Sequence, residues 1–133
     1  MYDGLTSIKV RATERTPLLE YIPKEMTFNM KGVSIPENAK EFYDPILLWI
    51  ENFVSTDNTN PLIINIDLDY FSIQSASILL RIIKLFDKLP DVTVNWFYED
   101  TDIEEIGHDL SSMVKMKFNH INKNPDYYNK FEV

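Results

Sequence analysis

The stretch Pro61 to Leu80, PLIINIDLDYFSIQSASILL, constrains this chain more than any other, because it passes from strand to helix with no room for a loop. Leu62, Ile63, Ile64, Ile66 and Leu68 form a nearly continuous apolar and β-branched run, which predicts a strand covered on both faces, as in a parallel sheet. Beyond Ser72 the spacing becomes helical, with Leu79, Ile82, Ile83 and Phe86 at i, i+3, i+4 and i+7. Ser72 is the natural N-cap, since its hydroxyl can accept from the free amides of the first turn. The strand's carboxyl end, Asp69 to Ser72, faces a crevice. A hydroxyl at such a helix start either is an ordinary cap or sits where α/β proteins hold phosphate and carry phosphorylatable side chains.

The rest of the chain supplies a scaffold for that junction. Ser7 to Ala12 alternates as a short edge strand, and Pro17 ends its pairing. Leu18 to Ile22 and Met26 to Met30 read as a hairpin around Pro23, with Met26, Phe28 and Met30 on the core. Gly32 is expected to break the second strand. Ser34 to Asn38 then reads as a helix start, with the Ser34 hydroxyl as cap, Pro36 in the first turn and Glu37 near the positive dipole end. Helices are expected at about 37–54, 72–89 and 102–112, the first bent at Pro45. Val92 to Tyr98 alternates as a strand, and the helix before it predicts parallel, adjacent placement beside the strand at 62–70. Met116 to Ile121 reads as a last strand. No internal repeat is apparent. The expected fold class is α/β: one domain over residues 1–121, with a mixed sheet, parallel inner strands and about three helices, followed by a tail over 122–133.

Composition excludes several functions. The chain has 133 residues and no cysteine, so it has no disulfide framework, thiolate metal site or cysteine nucleophile. Thirteen basic against twenty-one acidic residues give a net charge of −8, which repels nucleic acid and anionic lipid. The first twenty residues lack the pattern of a signal peptide, and no apolar run approaches a membrane span; with the missing cysteines this predicts a cytoplasmic protein with protein partners.

Few constellations carry chemistry. Asp67 and Asp69 share a strand face, and Glu99 and Asp100 should lie beside them at the end of the next strand. Four acids converging there suit a divalent cation such as Mg²⁺, which gives an alternative reading: a small Mg²⁺-dependent phosphotransfer or phosphatase domain using Asp67, Asp69 and Asp100. His108 and His120 lie on different elements with no third ligand at metal spacing, so both read as structural or exposed. Three glycines cannot build a phosphate loop, and no serine shows a nucleophile elbow. Catalysis and a cofactor are not expected.

Three segments together, SIPENAKEFYDPILLWIENF (34–53), LDYFSIQSASILLRIIKLFDKL (68–89) and VTVNWFYEDTDIEEIGHDL (92–110), with Thr16 and Pro17 ahead of them, resemble the SiaC family of bacterial regulatory phosphoproteins. The resemblance covers about residues 14–121. It implies a small fold similar to STAS domains and anti-sigma factor antagonists, with no catalysis of its own. It further implies phosphorylation by a partner protein kinase, dephosphorylation by a PP2C-like phosphatase, and binding of the unmodified form to an effector such as a diguanylate cyclase. The partner surface would include Asp69, Tyr70, Phe71, Gln74 and Ser77. Where the family typically reads YFNTSSSK, this chain reads YFSIQSAS, so the phosphoacceptor threonine falls on Ile73. Modification has either moved to Ser72 or Ser75, or been lost with the protein held in its unmodified state.

Overall fold

In the computed structural model, which describes residues 7–56 and 60–124, the two strands read from the centre of the sequence are adjacent and parallel, in register from Leu62 opposite Val92 to Ile66 opposite Trp96. They belong to a six-stranded sheet of β1 (Ile8–Val10), β2 (Leu18–Ile22), β3 (Thr27–Ser34), β4 (Leu62–Phe71), β5 (Val92–Tyr98) and β6 (Lys117–Asn122), ordered as in the chain. β1, β2 and β3 pair antiparallel, and β3 to β6 pair parallel. Helices α1 (Ala39–Ser55), α2 (Ile73–Phe86) and α3 (Thr101–Ser111) are the three crossovers. A single-turn 3-10 helix, Pro23–Glu25, closes the hairpin, and Met26 leaves it with a positive φ of 49°.

Since each crossover steps the same way along the sheet, right-handed connections put all three helices on one face. Leu62, Ile64, Ile66 and Leu68 of β4 point into that layer and join Phe28, Met30, Tyr43, Ile50, Phe86 and Trp96 in one core. The expectation of a strand buried on both faces is therefore corrected. Ile63, Asn65 and Asp67 lie on the opposite face, which no described element covers. The run Leu62-Ile63-Ile64 suggested double burial, whereas Ile64 to Asp69 alternates strictly.

A single row of polar side chains crosses the open face. Lys9, Glu20, Asn29, Asn65, Asn95 and Asn119 are register partners on all six strands. Asn119 donates to Asn95 at 3.0 Å, Asn95 to Asn65 and Asn65 to Asn29 at 2.9 Å, and Asn29 to Glu20 at 3.4 Å. Each amide fixes its neighbour's register, because a slip of one residue would bury the whole row among the apolar side chains.

Two local expectations at the entry to α1 are also corrected. β3 does not end at Gly32: the glycine takes φ 124°, a conformation disfavoured for L-residues, and the strand continues to Ser34. Nor does Ser34 cap α1; Asn38 does, its side chain accepting from the Glu41 amide at 3.1 Å. Pro45 stands inside a single helix, as anticipated. Within the expected tail, β6 runs through Asn122 and the Lys123 amide bonds to Tyr98; residues 125–133, the remainder of that tail, lie outside the described residues.

Candidate functional site

The junction between β4 and α2 is shaped by a one-residue bulge. Gly32 pairs with Leu68 and Val33 with Tyr70, so Asp69 is an extra residue on β4 with no partner on β3. An extra residue inverts the alternation that follows it. Tyr70, which regular pairing would bury, is turned out and is 59% exposed, and Phe71 is turned in at 8%. Phe71 then packs edge-on against Trp96, with ring centroids 6.4 Å apart. Of the expected contact residues, Asp69, Tyr70, Gln74 and Ser77 are on the surface, and Phe71 is instead a core anchor beneath them.

Ser72 caps α2 as its position predicted: its Oγ accepts from the Ser75 amide at 3.2 Å, and its own amide donates to the Ser34 carbonyl at 2.9 Å. The strand end and the helix start are thereby held to the end of β3. Ile73, the first residue of α2, is 88% exposed. Tyr70 and Ile73 are thus two large side chains left in solvent at the positive end of the helix dipole.

Ser75 lies beneath this surface at 3% exposure. Its Oγ accepts from Ser34 Oγ at 2.8 Å and from Ser72 Oγ at 3.1 Å, and Ser34 Oγ shares a 2.6 Å bond with the Tyr43 hydroxyl of α1. The four hydroxyls form a chain from α1, through the end of β3, to the first turn of α2. Burial pushes the Tyr43 phenol up to about 12, with the Ser34 bond acting in the opposite direction. Sequence reasoning gave Ser34 and Ser75 other tasks; that both are hydroxyls facing the core emerges only once the register is known.

The acidic residues do gather, around a lysine. Lys123 Nζ, just beyond β6, lies 2.8 Å from Asp67, 3.3 Å from Asp69 and 3.8 Å from Glu99. Its pKa is raised, because the bonds and charges of Asp67 and Asp69 outweigh desolvation, which alone is the largest single influence and acts to lower it. Asp100 has another task, capping α3 by accepting from the Ile103 amide at 2.9 Å. An ammonium thus occupies the centre where a divalent cation was considered, and among the described residues no group of three or more His, Asp or Glu side chains has the arrangement to hold a metal. His108 and His120 stack with centroids 3.8 Å apart and join α3 to β6.

Comparison with known proteins agrees with this arrangement. Residues 10–123 match the model of the SiaC family regulatory phosphoprotein. A protein of Pseudomonas aeruginosa (strain UCBPP-PA14), described only as uncharacterized, is 24% identical over 99 residues, 71% of this chain and 78% of its own. Among solved structures, apo-SiaC from Pseudomonas aeruginosa is similar with a TM-score of 0.78 at 22% identity, over 86% of this chain and 98% of that one. The structure of the diguanylate cyclase SiaD in complex with its activator SiaC, from the same organism, gives 0.78 at 21% identity over the same shares. These likenesses establish the mixed sheet with its helices on a common fold.

Proposed function

We propose that this chain, which belongs to the SiaC family of regulatory phosphoproteins, is a non-enzymatic regulator that binds and activates an effector of the diguanylate cyclase type through the surface around Tyr70, Ile73, Gln74 and Ser77. The observation that carries this reading is the exposure of Ile73 beside Tyr70. A large aliphatic side chain in water at a helix start gains nothing in the free protein, and gains about 1.5–3 kcal/mol when a partner buries it. The solved complex of SiaD with its activator SiaC supports the choice of effector.

The resemblance implies that a partner kinase and a PP2C-like phosphatase control such a regulator through a hydroxyl, at the motif position that Ile73 takes in this chain. Ser75 cannot replace it without breaking the buried hydroxyl chain, and the Ser72 hydroxyl is engaged at both ends, accepting from the Ser75 amide and donating to its side chain. The surface therefore keeps the uncharged form in which the family binds its effector, and the protein is held in that state.

Calorimetric titration of the diguanylate cyclase encoded nearest to it should show binding that Ile73→Glu weakens at least tenfold, since the partner would bury an unpaired carboxylate. Incubation with the neighbouring kinase should leave the unmutated protein unmodified by mass spectrometry and should phosphorylate Ile73→Thr. Failure of the cyclase to bind overturns the effector reading. Stoichiometric phosphate on Ser72 or Ser75 overturns the held state and shows that the switch has moved.

A further inference from the structure

The exposed face of α2 continues from Ile73 through Gln74 and Ser77 to Arg81 and Lys84, and Lys88 extends the line beyond the helix end. From Ile73 to Lys88 the stripe is about 22 Å long at 1.5 Å per residue. Its distal half is positive in a chain whose net charge is −8. Arg81, Lys84 and Lys88 stand at i, i+3 and i+7, and none of them is in an ion pair with a described residue. The nearest acid in sequence, Asp87, is turned away, accepting from the amides of Lys115 and Met116.

These three cations border a groove of about 220 Å³ whose lining is completed by Leu85 and by Glu51 of α1. One turn before Glu51, Leu48 is 58% exposed. The groove itself offers Leu85 and the aliphatic stems of its cations between two helices, with three cations against one carboxylate, and Leu48 lies outside its lining. Cations at 81, 84 and 88 present the spacing that carboxylates on one face of a second helix would match. Long lysine and arginine stems keep their heads in water until a counter-charge arrives, and complementary charge raises the rate and the selectivity of encounter.

We propose that the α2 stripe and its groove against α1 receive an acidic amphipathic helix of the protein partner, its carboxylates over Arg81, Lys84 and Lys88 and its apolar side chains on Leu85 and Ile73. The inference rests on the regulator reading and specifies the chemistry of the partner that this reading requires. It also divides the surface: Ile73 supplies burial at one end, and the cations supply orientation at the other.

The test uses a fluorescein-labelled twenty-residue peptide with leucines on one helical face and glutamates at i, i+3 and i+7 along the margin of that face. Its scrambled isomer, a polyglutamate of equal charge and a twenty-base-pair DNA duplex serve as comparisons. By fluorescence anisotropy the amphipathic peptide should bind at least tenfold more tightly than any of these. Arg81→Glu/Lys84→Glu/Lys88→Glu should weaken it at least tenfold, with circular dichroism unchanged, and the milder Lys84→Ala/Lys88→Ala pair should weaken it about threefold. Raising salt from about 50 to 300 mM should also weaken it severalfold. No binding, or binding indifferent to both variants, overturns the proposal; equal binding of polyglutamate or DNA overturns it in favour of unspecific counter-ion attraction. A cyclase that binds the wild type and the charge-reversed variant alike, with the peptide silent, removes this inference and leaves the regulator reading standing. A cyclase that never binds, with peptide binding lost on charge reversal, does the opposite.

Discussion

Removing the Ser34 hydroxyl should cost more than removing its partner on Tyr43, although the two share one hydrogen bond. Ser34→Ala deletes the 2.6 Å bond to Tyr43 and the 2.8 Å bond to Ser75. It leaves a phenolic hydroxyl with 0% exposure and no partner. A lost bond costs about 1 kcal/mol and an orphaned buried hydroxyl a further 1–3, so about 3 kcal/mol is expected. Tyr43→Phe deletes the phenol itself, and Ser34 keeps Ser75; about 1 kcal/mol is expected. In the double variant no phenol is stranded, and the loss should be about 2 kcal/mol, well short of the sum. Urea denaturation at pH 7 followed by tryptophan fluorescence measures all three. Equal losses for the two single variants, or an additive double variant, would refute the chain. A pH series supplies a second check. Tyr43 ionises at about 12 in the folded protein against 10 when unfolded. Between those values the folded state binds more protons, so its contribution is complete below pH 10 and is lost as pH rises towards 12. Tyr43→Phe should reduce that alkaline fall, leaving the part due to Tyr21, whose pKa is also raised by burial.

Two further predictions concern the packing of α3 against β5 and β6. A Cβ at Gly107 would overlap the Trp96 indole, reaching Nε1 and lying 2.8 Å from Cε2; Trp96 is buried and donates to the Ile103 carbonyl at 2.9 Å. Gly107→Ala should therefore lower stability by about 1–2 kcal/mol despite the helix propensity it gains, with a lower midpoint and an altered near-ultraviolet tryptophan signal; an unchanged or raised midpoint would contradict this. His120 is held below the usual histidine range by burial and by the facing His108, with Glu104 opposing, so its unfolded form takes the proton first as pH falls. Stability should drop through the window below about 6.5, and His120→Phe should flatten that drop in thermal melts between pH 7 and 5.

Periodicity sufficed for most of the scaffold, because the strands and helices that it marked each have one apolar face. It placed β4 beside β5 in parallel and Ser72 at the cap of α2. It failed where a residue's role depends on a distant partner. The bulge at Asp69 follows from how Gly32 and Val33 meet β4, a relation between segments some forty residues apart, and it alone decides that Tyr70 faces out and Phe71 in. Ser34 carried every mark of a cap, yet the strand outlasted Gly32 and drew its hydroxyl into the core. Lys123 was unreadable as the centre of the acidic group, since only the pairing of β6 with β5 brings it there. The open face did leave a trace: Phe28-Asn29-Met30, Ile64-Asn65-Ile66, Val94-Asn95-Trp96 and Phe118-Asn119-His120 repeat one apolar-Asn-apolar or aromatic pattern on four strands. A polar amide between two core-facing residues, repeated once per strand, marks the solvent side of a shared register.

The order of the strands in the sheet is their order in the chain, and this governs how the protein can emerge from a ribosome. Every pairing joins a strand to the one made just before it, so no segment waits for a distant partner, and the loop-closure cost of each addition is small. The hairpin can close first, and each later unit adds one strand to the growing edge. That edge is vulnerable, for an unpaired strand rich in β-branched and aromatic residues is a template for another chain. Here it ends in Asp67, Asp69 and Glu99, whose compensating ammonium is supplied by Lys123, after the final strand. Until synthesis reaches that lysine, two unfinished chains meeting there bring Asp69 carboxylates of like charge together, which weighs against their pairing edge to edge.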